Sequence, residues 1–494
     1  MKSYWQVYSP TLESMMLSHD ATYLAENEQN EILSYLPLYQ GKRVLELGAG
    51  IGRFTCKLAS TASEVVAVDF MDQYINENRE RNQHHGNIDF KCADVTKLDF
   101  PPSSFDLVFS NWLFMYLSDE ETQQVFRKVV NWLTPGGHFF MRESCYHQSG
   151  NMSRSENPTL YRTPLQYSQM LHRVSECEKA AFKIIRGKSI LAYIHYHGNP
   201  NQLCFLVKRV EGEECNHLTQ FLKSREALVD IQQTERMFGH GWFSTGGEYS
   251  TREFLMKLDL VPGQRVLDVG CGTGGSAFYM ARHYGVHVHG VDLSTNMIHL
   301  AIERQGKLEL DLKKRAQFEI SDIMTVELED EAYDVIYSRD SILFISEKDQ
   351  LFKKLYKWLK PGGTLFFTDF CYGSSTHHSK DFHNYVNNEK RYYLASVNSC
   401  MEELQKAGFD VRVEDLQQDF IKILYTELSA FTATRQAFIN DFSENDYNTL
   451  STQWANKIRW TQEKQLTWAA FTAYKKTSCT NTTNNNTNNN TNSQ

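Results

Sequence analysis

Residues 43–54 read RVLELGAGIGRF, and residues 265–276 read RVLDVGCGTGGS. Each is a short apolar run, an acid (Glu46 or Asp268), glycines at alternate positions, and then a helical pattern. That order leaves few folds open, because the chain must turn just past a strand and bring bare backbone close to whatever sits there. The two acids stand 222 residues apart, and the landmarks that follow keep step. VVAVDF carries Asp69 and VHGVDL carries Asp292, 23 and 24 residues beyond the first acid. CADV with Asp94 matches ISDI with Asp322, and a serine follows 16 residues later in both copies, Ser110 in FDLVFSNW and Ser338 in YDVIYSRD. WLTPGGHFFM and WLKPGGTLFF close each series with a Pro-Gly-Gly turn before an apolar strand. Self-similarity of this kind marks a duplicated unit, and strands alternating with helices predict parallel βαβ architecture. We read two α/β domains, residues 1–212 and 213–476, with a polar connector around 209–219. Residues 477–494 are Asn/Thr low-complexity sequence that cannot bury a core, and disorder is expected there.

Composition removes several function classes. A 41% hydrophobic and 22% charged chain suits soluble globular domains. Lys+Arg at 51 against Asp+Glu at 60 gives a net charge of −9, which argues against a nucleic-acid partner. No apolar run approaches the ~20 residues that span a bilayer, so no stable membrane insertion is expected. The opening MKSYWQVYSP has no apolar h-region. Ten scattered cysteines form no CxxC pair, so no metal site is expected, and a reduced, cytoplasmic setting is.

The glycine loops are flanked by acids, and that selects the ligand. Gly48 and Gly50, with Gly270 and Gly272 in the second copy, let backbone approach closely, and the helix behind can attract a carboxylate. Glu46 and Asp268 can accept hydrogen bonds from an ammonium. Asp69 and Asp292 stand where a strand-end acid binds ribose hydroxyls. Asp94 and Asp322 stand where an adenine amine can be read. A pyrophosphate would be repelled by these acids, whereas a cationic sulfonium amino acid would be favoured. The constellation fits S-adenosylmethionine better than NAD.

On these motifs the chain resembles the two-domain phosphoethanolamine N-methyltransferases of plants. The resemblance runs over residues 4–475 and is carried by VLELGAGIGRF, ADVT, SNWLFMYLSD and RESCYHQSG in the first half, and by FGHGWFSTGG, VLDVGCGTGG, IYSRDSIL and KWLKPGG in the second. It implies two tandem class I methyltransferase (Rossmann-like) domains, each a mostly parallel seven-stranded sheet with helices on both faces. It implies successive methylation of a small phosphobase, from phosphoethanolamine to phosphocholine, the first domain performing the first transfer. It adds Phe70, Val95, Asn111, Ser244, Leu293, Ile323 and Arg339 to the cofactor contacts.

The resemblance also implies an acceptor site. In relatives an N-terminal tyrosine covers the pocket and works with a histidine as latch and proton relay. Here Tyr4, with Trp5 beside it, holds the lid position, and Tyr116 occupies the histidine's slot, so Tyr4 and Tyr116 are the expected catalytic pair. Tyr161, Arg162 and Tyr167 in NPTLYRTPLQY are the expected phosphate donors, and Arg142 is placed near the same pocket. In the second half Arg225 and Glu226 replace the lid pair, Thr234 replaces a substrate tyrosine, Phe344 replaces the histidine, and Phe370 stands where a tyrosine is usual. Arg391, Tyr392 and Lys457, with Lys390, remain as a phosphate cluster. The second domain is therefore expected to hold cofactor while transferring methyl groups poorly or not at all. A methyltransferase for another small amine is the alternative. The oligomeric state is not legible in the sequence.

Overall fold

The computed structural model describes residues 1–154, 156–176, 180–212 and 228–477. The expected lid positions Arg225 and Glu226, and the tail beyond 477, lie outside the described residues.

The first glycine motif follows strand β1 (Arg43–Leu47), whose last four residues are all buried, as a strand covered on both faces requires. Beside it lie β2 (Glu64–Asp69), β3 (Ile88–Cys92), β4 (Phe105–Asn111), β5 (Leu133–Ser144), β6 (Ala180–Ser189) and β7 (Gln202–Glu211). The second copy supplies β8 (Arg265–Val269), β9 (His287–Asp292), β10 (Ala316–Ile320), β11 (Tyr333–Arg339), β12 (Leu359–Tyr372), β13 (Asp410–Asp415) and β14 (Leu466–Tyr474). The spatial order is β3-β2-β1-β4-β5-β7-β6 in the first half and β10-β9-β8-β11-β12-β14-β13 in the second, which is one topology used twice. Within each half the pairings are parallel except those made by β7 and β14. The order reverses at β1/β4 and β8/β11, and such a switch point leaves a crevice at the carboxyl ends of the strands, where the glycine loops lie.

The two sheets are not separate. β6 pairs antiparallel with β10 through Glu319↔Lys188 and Ile320↔Gly187, so all 14 strands form one continuous sheet. A buried charge cluster sits on this seam: Glu319 meets Arg186 at 2.6 Å, His289 at 3.1 Å and Lys188 at 3.4 Å. Burial raises the Glu319 pKa, yet His289, Lys188 and Arg186 outweigh it and hold the carboxyl well below its usual range. Tyr146 of the first half also bonds His299 of the second at 2.8 Å. No helix among the described residues is long and apolar enough to cross a membrane.

Candidate active site

In the first half, the carboxyl ends of β1, β2 and β4 open into a cavity of about 240 Å³. Ten residues singled out from the sequence line it: Glu46, Gly48, Gly50, Asp69, Phe70, Asp94, Val95, Asn111, Trp5 and Tyr116. Gly48 and Gly50 have φ of +72° and +52°, and an added Cβ would meet Leu113 Cβ at 3.4 Å and Met15 Sδ at 3.6 Å. The loop is therefore a cradle that side chains would fill. Asp69 anchors it by accepting from Gly50 N and Met71 N, both at 2.9 Å. Glu46 accepts from Thr55 Oγ1 at 2.6 Å. Burial pushes the Glu46 carboxyl up to about 8, with Asp69 adding to it against the Thr55 bond, and pushes Asp69 up to about 6. Two buried acids without a cation ask for a positively charged guest.

The second half repeats the floor. Gly270 and Gly272 have φ of +69° and +55°, and Asp292 accepts from Gly272 N at 3.0 Å and Ser294 N at 2.8 Å. Burial, with Asp292 nearby, raises Asp268 to about 7, and Asp268 Oδ2 is a buried oxygen with no partner among the described residues. Asp322 turns the chain by accepting from Met324 N at 2.9 Å, Ile323 is buried, Leu293 follows Asp292, and Ser244 is buried in the preceding loop. The glycine cradles, the orphan carboxylate oxygen and the raised acids fit a ligand with an ammonium, a sulfonium and a ribose.

Arg339 is a correction. It is 6% exposed, and its guanidinium donates to Thr368 Oγ1, Thr251 Oγ1, Thr245 O and Ser250 Oγ at 2.7–3.1 Å. A buried guanidinium must satisfy its donors locally, and here it fastens the 244–251 segment rather than facing a cofactor.

The acceptor side of the first half is closed by the one-turn helix Lys2–Trp5. Trp5 stacks edge-on against Tyr116 at 5.4 Å, and Tyr4 packs on Trp5 at 5.3 Å. Tyr4 Oη accepts from Tyr8 Oη at 3.2 Å and from Arg154 at 3.3 Å, so its hydrogen-bond partners are Tyr8 and Arg154, not Tyr116. Burial pushes the Tyr116 phenol above its ordinary range and Tyr8 up to about 12, so both stay protonated at neutral pH.

The expected phosphate donors divide. Tyr161 accepts from Arg154 at 2.5 Å and is linked to Tyr4 through that guanidinium. Arg162 is 3% exposed and donates to Asp119 at 2.8 Å and to the carbonyls of Phe114 and Leu117 at 2.8 and 2.7 Å. It clamps the turn that carries Tyr116, and Asp119 already pairs its charge. Tyr167 is wholly buried beneath it, 5.5 Å from the guanidinium. Arg142 lies outside the cavity wall. It pairs with buried Glu28 at 2.5 Å, bonds Asn111 at 2.9 Å and stacks on Trp112 at 3.9 Å.

Sequence reasoning passed over two residues here. Arg154 bonds Tyr4, Tyr161, Thr159 and Gln148, all neutral acceptors, and among the described residues no carboxylate pairs with it. It lies in the same loop as Tyr161, and the adjacent Tyr-Arg pair drew attention away from it. Glu143 is buried and accepts from the N–H groups of Leu113, Phe114 and Met115 at 2.9–3.2 Å, capping the turn that ends in Tyr116. Burial lifts it to about 7 against the pull of those N–H groups.

In the second half, Phe344, Tyr392, Phe370 and Tyr385 form an aromatic wall with ring separations of 5.2–6.2 Å. Lys457 is buried against Trp454 at 4.2 Å and Phe370 at 5.5 Å. Burial and neighbouring Lys390 bring its ammonium down to about 8. Arg391 is exposed, with φ of +55°, so Lys390 rather than Arg391 is the cation beside Lys457.

A duplicated seven-stranded topology with an acid-flanked glycine cradle at each switch point defines a tandem class I methyltransferase. Methyltransferase-domain family models match residues 44–137 and 260–427. Phosphoethanolamine N-methyltransferase 1 of Zea mays is 43% identical over 487 residues, covering 96% of this chain and 95% of that protein, and the Arabidopsis thaliana enzyme of the same name is 43% identical over 484 residues, covering 96% and 97%. A solved structure of phosphoethanolamine N-methyltransferase 2 from Haemonchus contortus, in complex with phosphomonomethylethanolamine and S-adenosylhomocysteine, superposes with a TM-score of 0.72 at 23% identity, covering 92% of this chain and 100% of that one. The chain belongs to the phosphoethanolamine N-methyltransferase family.

Proposed function

We propose that the chain transfers methyl groups from S-adenosylmethionine to the amino nitrogen of phosphoethanolamine, on the route to phosphocholine, and that the first transfer takes place in residues 1–212. The observation that carries this is the first cavity, where Glu46, Asp69 and Asp94 meet Trp5 and Tyr116 under a lid tied to Arg154. Bound there, S-adenosylmethionine supplies an electrophilic sulfonium methyl. Glu46 receives the ammonium of the donor's amino-acid end, Asp69 its ribose hydroxyls, and Asp94 with Val95 its adenine. Arg154, Tyr161 and Tyr4 hold the acceptor phosphate, a dianion at neutral pH that calls for charged and phenolic donors. Trp5 and Tyr116 wall the amino end, where ring faces favour a cation.

The acceptor nitrogen enters as an ammonium with a pKa near ~10, so it must lose a proton before its lone pair can attack. Forming N–CH3 breaks S–CH3 and returns the sulfur to a neutral thioether. Neither Tyr116 nor Tyr8 is a phenolate at neutral pH, so neither keeps the proton, which leaves the acceptor ammonium for bulk water.

Residues 213–476 form a second cofactor-binding domain with little or no transfer activity. Phe344 in the relay position supports this, since a phenyl ring carries no proton. A cytoplasmic setting is in keeping with the seven free thiols among the described residues. Mass analysis of products from phosphoethanolamine tests the whole reading. The full chain is expected to yield methylated phosphobase, Asp69→Ala to abolish the first methyl, and Asp292→Ala to leave it within about threefold. No methylated product from the unaltered chain would refute it.

A further inference from the structure

The lid that completes the acceptor site is fastened from the cofactor side. Helix Lys2–Trp5 is a single turn, too short to persist on its own. The carbonyl of its last residue, Trp5, and that of Tyr8 just beyond it are captured by two consecutive residues near the start of the helix Asp72–Asn82. Tyr74 Oη lies 2.9 Å from Trp5 O and 3.2 Å from Tyr8 O. Gln73 Nε2 donates to the same two oxygens at 3.3 and 3.1 Å. The Tyr74 ring is 2% exposed and meets Trp5 edge-on at 6.1 Å. Only Asp72 separates these two residues from Asp69, Phe70 and Met71, and Asp69, Phe70 and the Tyr74 ring all line the cavity. From the opposite side the lid carries Trp5 against Tyr116 and Tyr4 against Arg154.

We propose that Gln73 and Tyr74 are positioning residues that couple occupancy of the ribose-binding segment to closure of the lid, so that the acceptor site is assembled only after the methyl donor has bound. The coupling rests on the cofactor assignment made above for Asp69. Donor contacts to Asp69 and Phe70 immobilise the 69–72 segment. That fixes the phenol and carboxamide that hold the Trp5 and Tyr8 carbonyls. With the carbonyls fixed, Trp5 is seated on Tyr116, and the aromatic wall and the phosphate-holding Tyr4 come into place together. A lid tethered only by acceptor-side contacts would close on either substrate. One tethered here closes on the donor first. Methyl transfer then begins with both substrates aligned and water displaced, and the spent donor leaves only after the same tether opens.

The experiment follows the lid directly. Hydrogen exchange of residues 1–11 is measured in the full chain, with and without S-adenosylhomocysteine, for the unaltered protein, Gln73→Ala and Tyr74→Phe. The amides of Tyr4, Trp5, Gln6 and Tyr8 are all hydrogen-bonded within this segment, so they report its closure. S-adenosylhomocysteine is expected to slow their exchange about tenfold in the unaltered protein and less than about threefold in the variants. In parallel, kcat/KM for phosphoethanolamine is expected to fall about fivefold in each variant, the loss of one or two neutral hydrogen bonds, with kcat at saturating acceptor within about twofold. Gln73 is half-buried on the outer side of the tether, so Gln73→Ala reads the coupling even where Tyr74→Phe disturbs packing. Equal slowing in the variants and the unaltered protein would overturn the tether. Failure of the unaltered protein to bind S-adenosylhomocysteine, measured by calorimetry, would instead overturn the functional reading beneath it.

Discussion

Arg154 offers the sharpest test of where the acceptor phosphate sits. Its guanidinium is half-buried, bonds neutral oxygens among the described residues, and bridges Tyr4 and Tyr161. Two unit charges 4 Å apart attract by about 4 kcal/mol at an effective dielectric of 20, and solvent screening at a half-open site removes much of that. A charged hydrogen bond is worth about 1.5–3 kcal/mol net, and every 1.4 kcal/mol is tenfold. Arg154→Ala should therefore raise KM for phosphoethanolamine about 10- to 100-fold. Arg154→Lys should recover part of this, because lysine restores the charge but not the fork that spans Tyr4 and Tyr161. Steady-state methylation of phosphoethanolamine is compared with that of ethanolamine, which has no phosphate, and the penalty should vanish for ethanolamine. A KM within about threefold of the unaltered protein, or an equal penalty on both acceptors, would remove Arg154 from phosphate recognition.

Other outcomes follow from buried charge. Glu46 and Asp69 have folded pKa values raised to about 8 and 6 from 4.5 and 3.8, so the stability they contribute is complete at low pH and is lost as pH rises through those values. The ligand-free protein should melt at a lower temperature at pH 8 than at pH 6, S-adenosylhomocysteine should stabilise it more at pH 8, and Glu46→Gln should flatten both trends in a thermal-shift series. Glu319→Gln breaks a buried ion cluster, at a cost of about 3–5 kcal/mol, and calorimetry should show the halves melting in separate transitions. Glu143→Gln keeps a side chain that can accept from the turn N–H groups but loses the charge, so kcat should fall by about threefold to tenfold, the range of a weakened charged hydrogen bond, with cofactor affinity unchanged by calorimetry.

Much of this was legible because the βαβ unit writes its ligand site locally. An acid at a strand end, glycines two residues on, and a second acid one strand later lie in short stretches, and the repeat doubled the signal. What lay beyond reach was set by partners far off in sequence. Arg162 looks like a phosphate donor in NPTLYRTP, yet Asp119 and two carbonyls from the 114–117 turn engage it. Arg339 and Arg142 are likewise held by contacts that spacing cannot announce. The joining of the sheets was also hidden: β6 and β10 each end the sheet of their own half, and two residue pairs make them neighbours.

That joint uses different edges of the two copies, the sixth strand of one against the third strand of the next. It is a head-to-tail contact, which does not close on itself. The ribbon therefore ends in two unlike rims, β3 and β13, of the same kinds already mated in its middle. Nothing in the topology prevents one molecule from adding to the next. Both rims are lined with charge, Asp89 and Lys91 on one and Asp410, Arg412, Glu414 and Asp415 on the other, which is how an open strand is kept from recruiting a neighbour. Neutralising these outer strands should promote open-ended association, read as mass that grows with concentration in sedimentation.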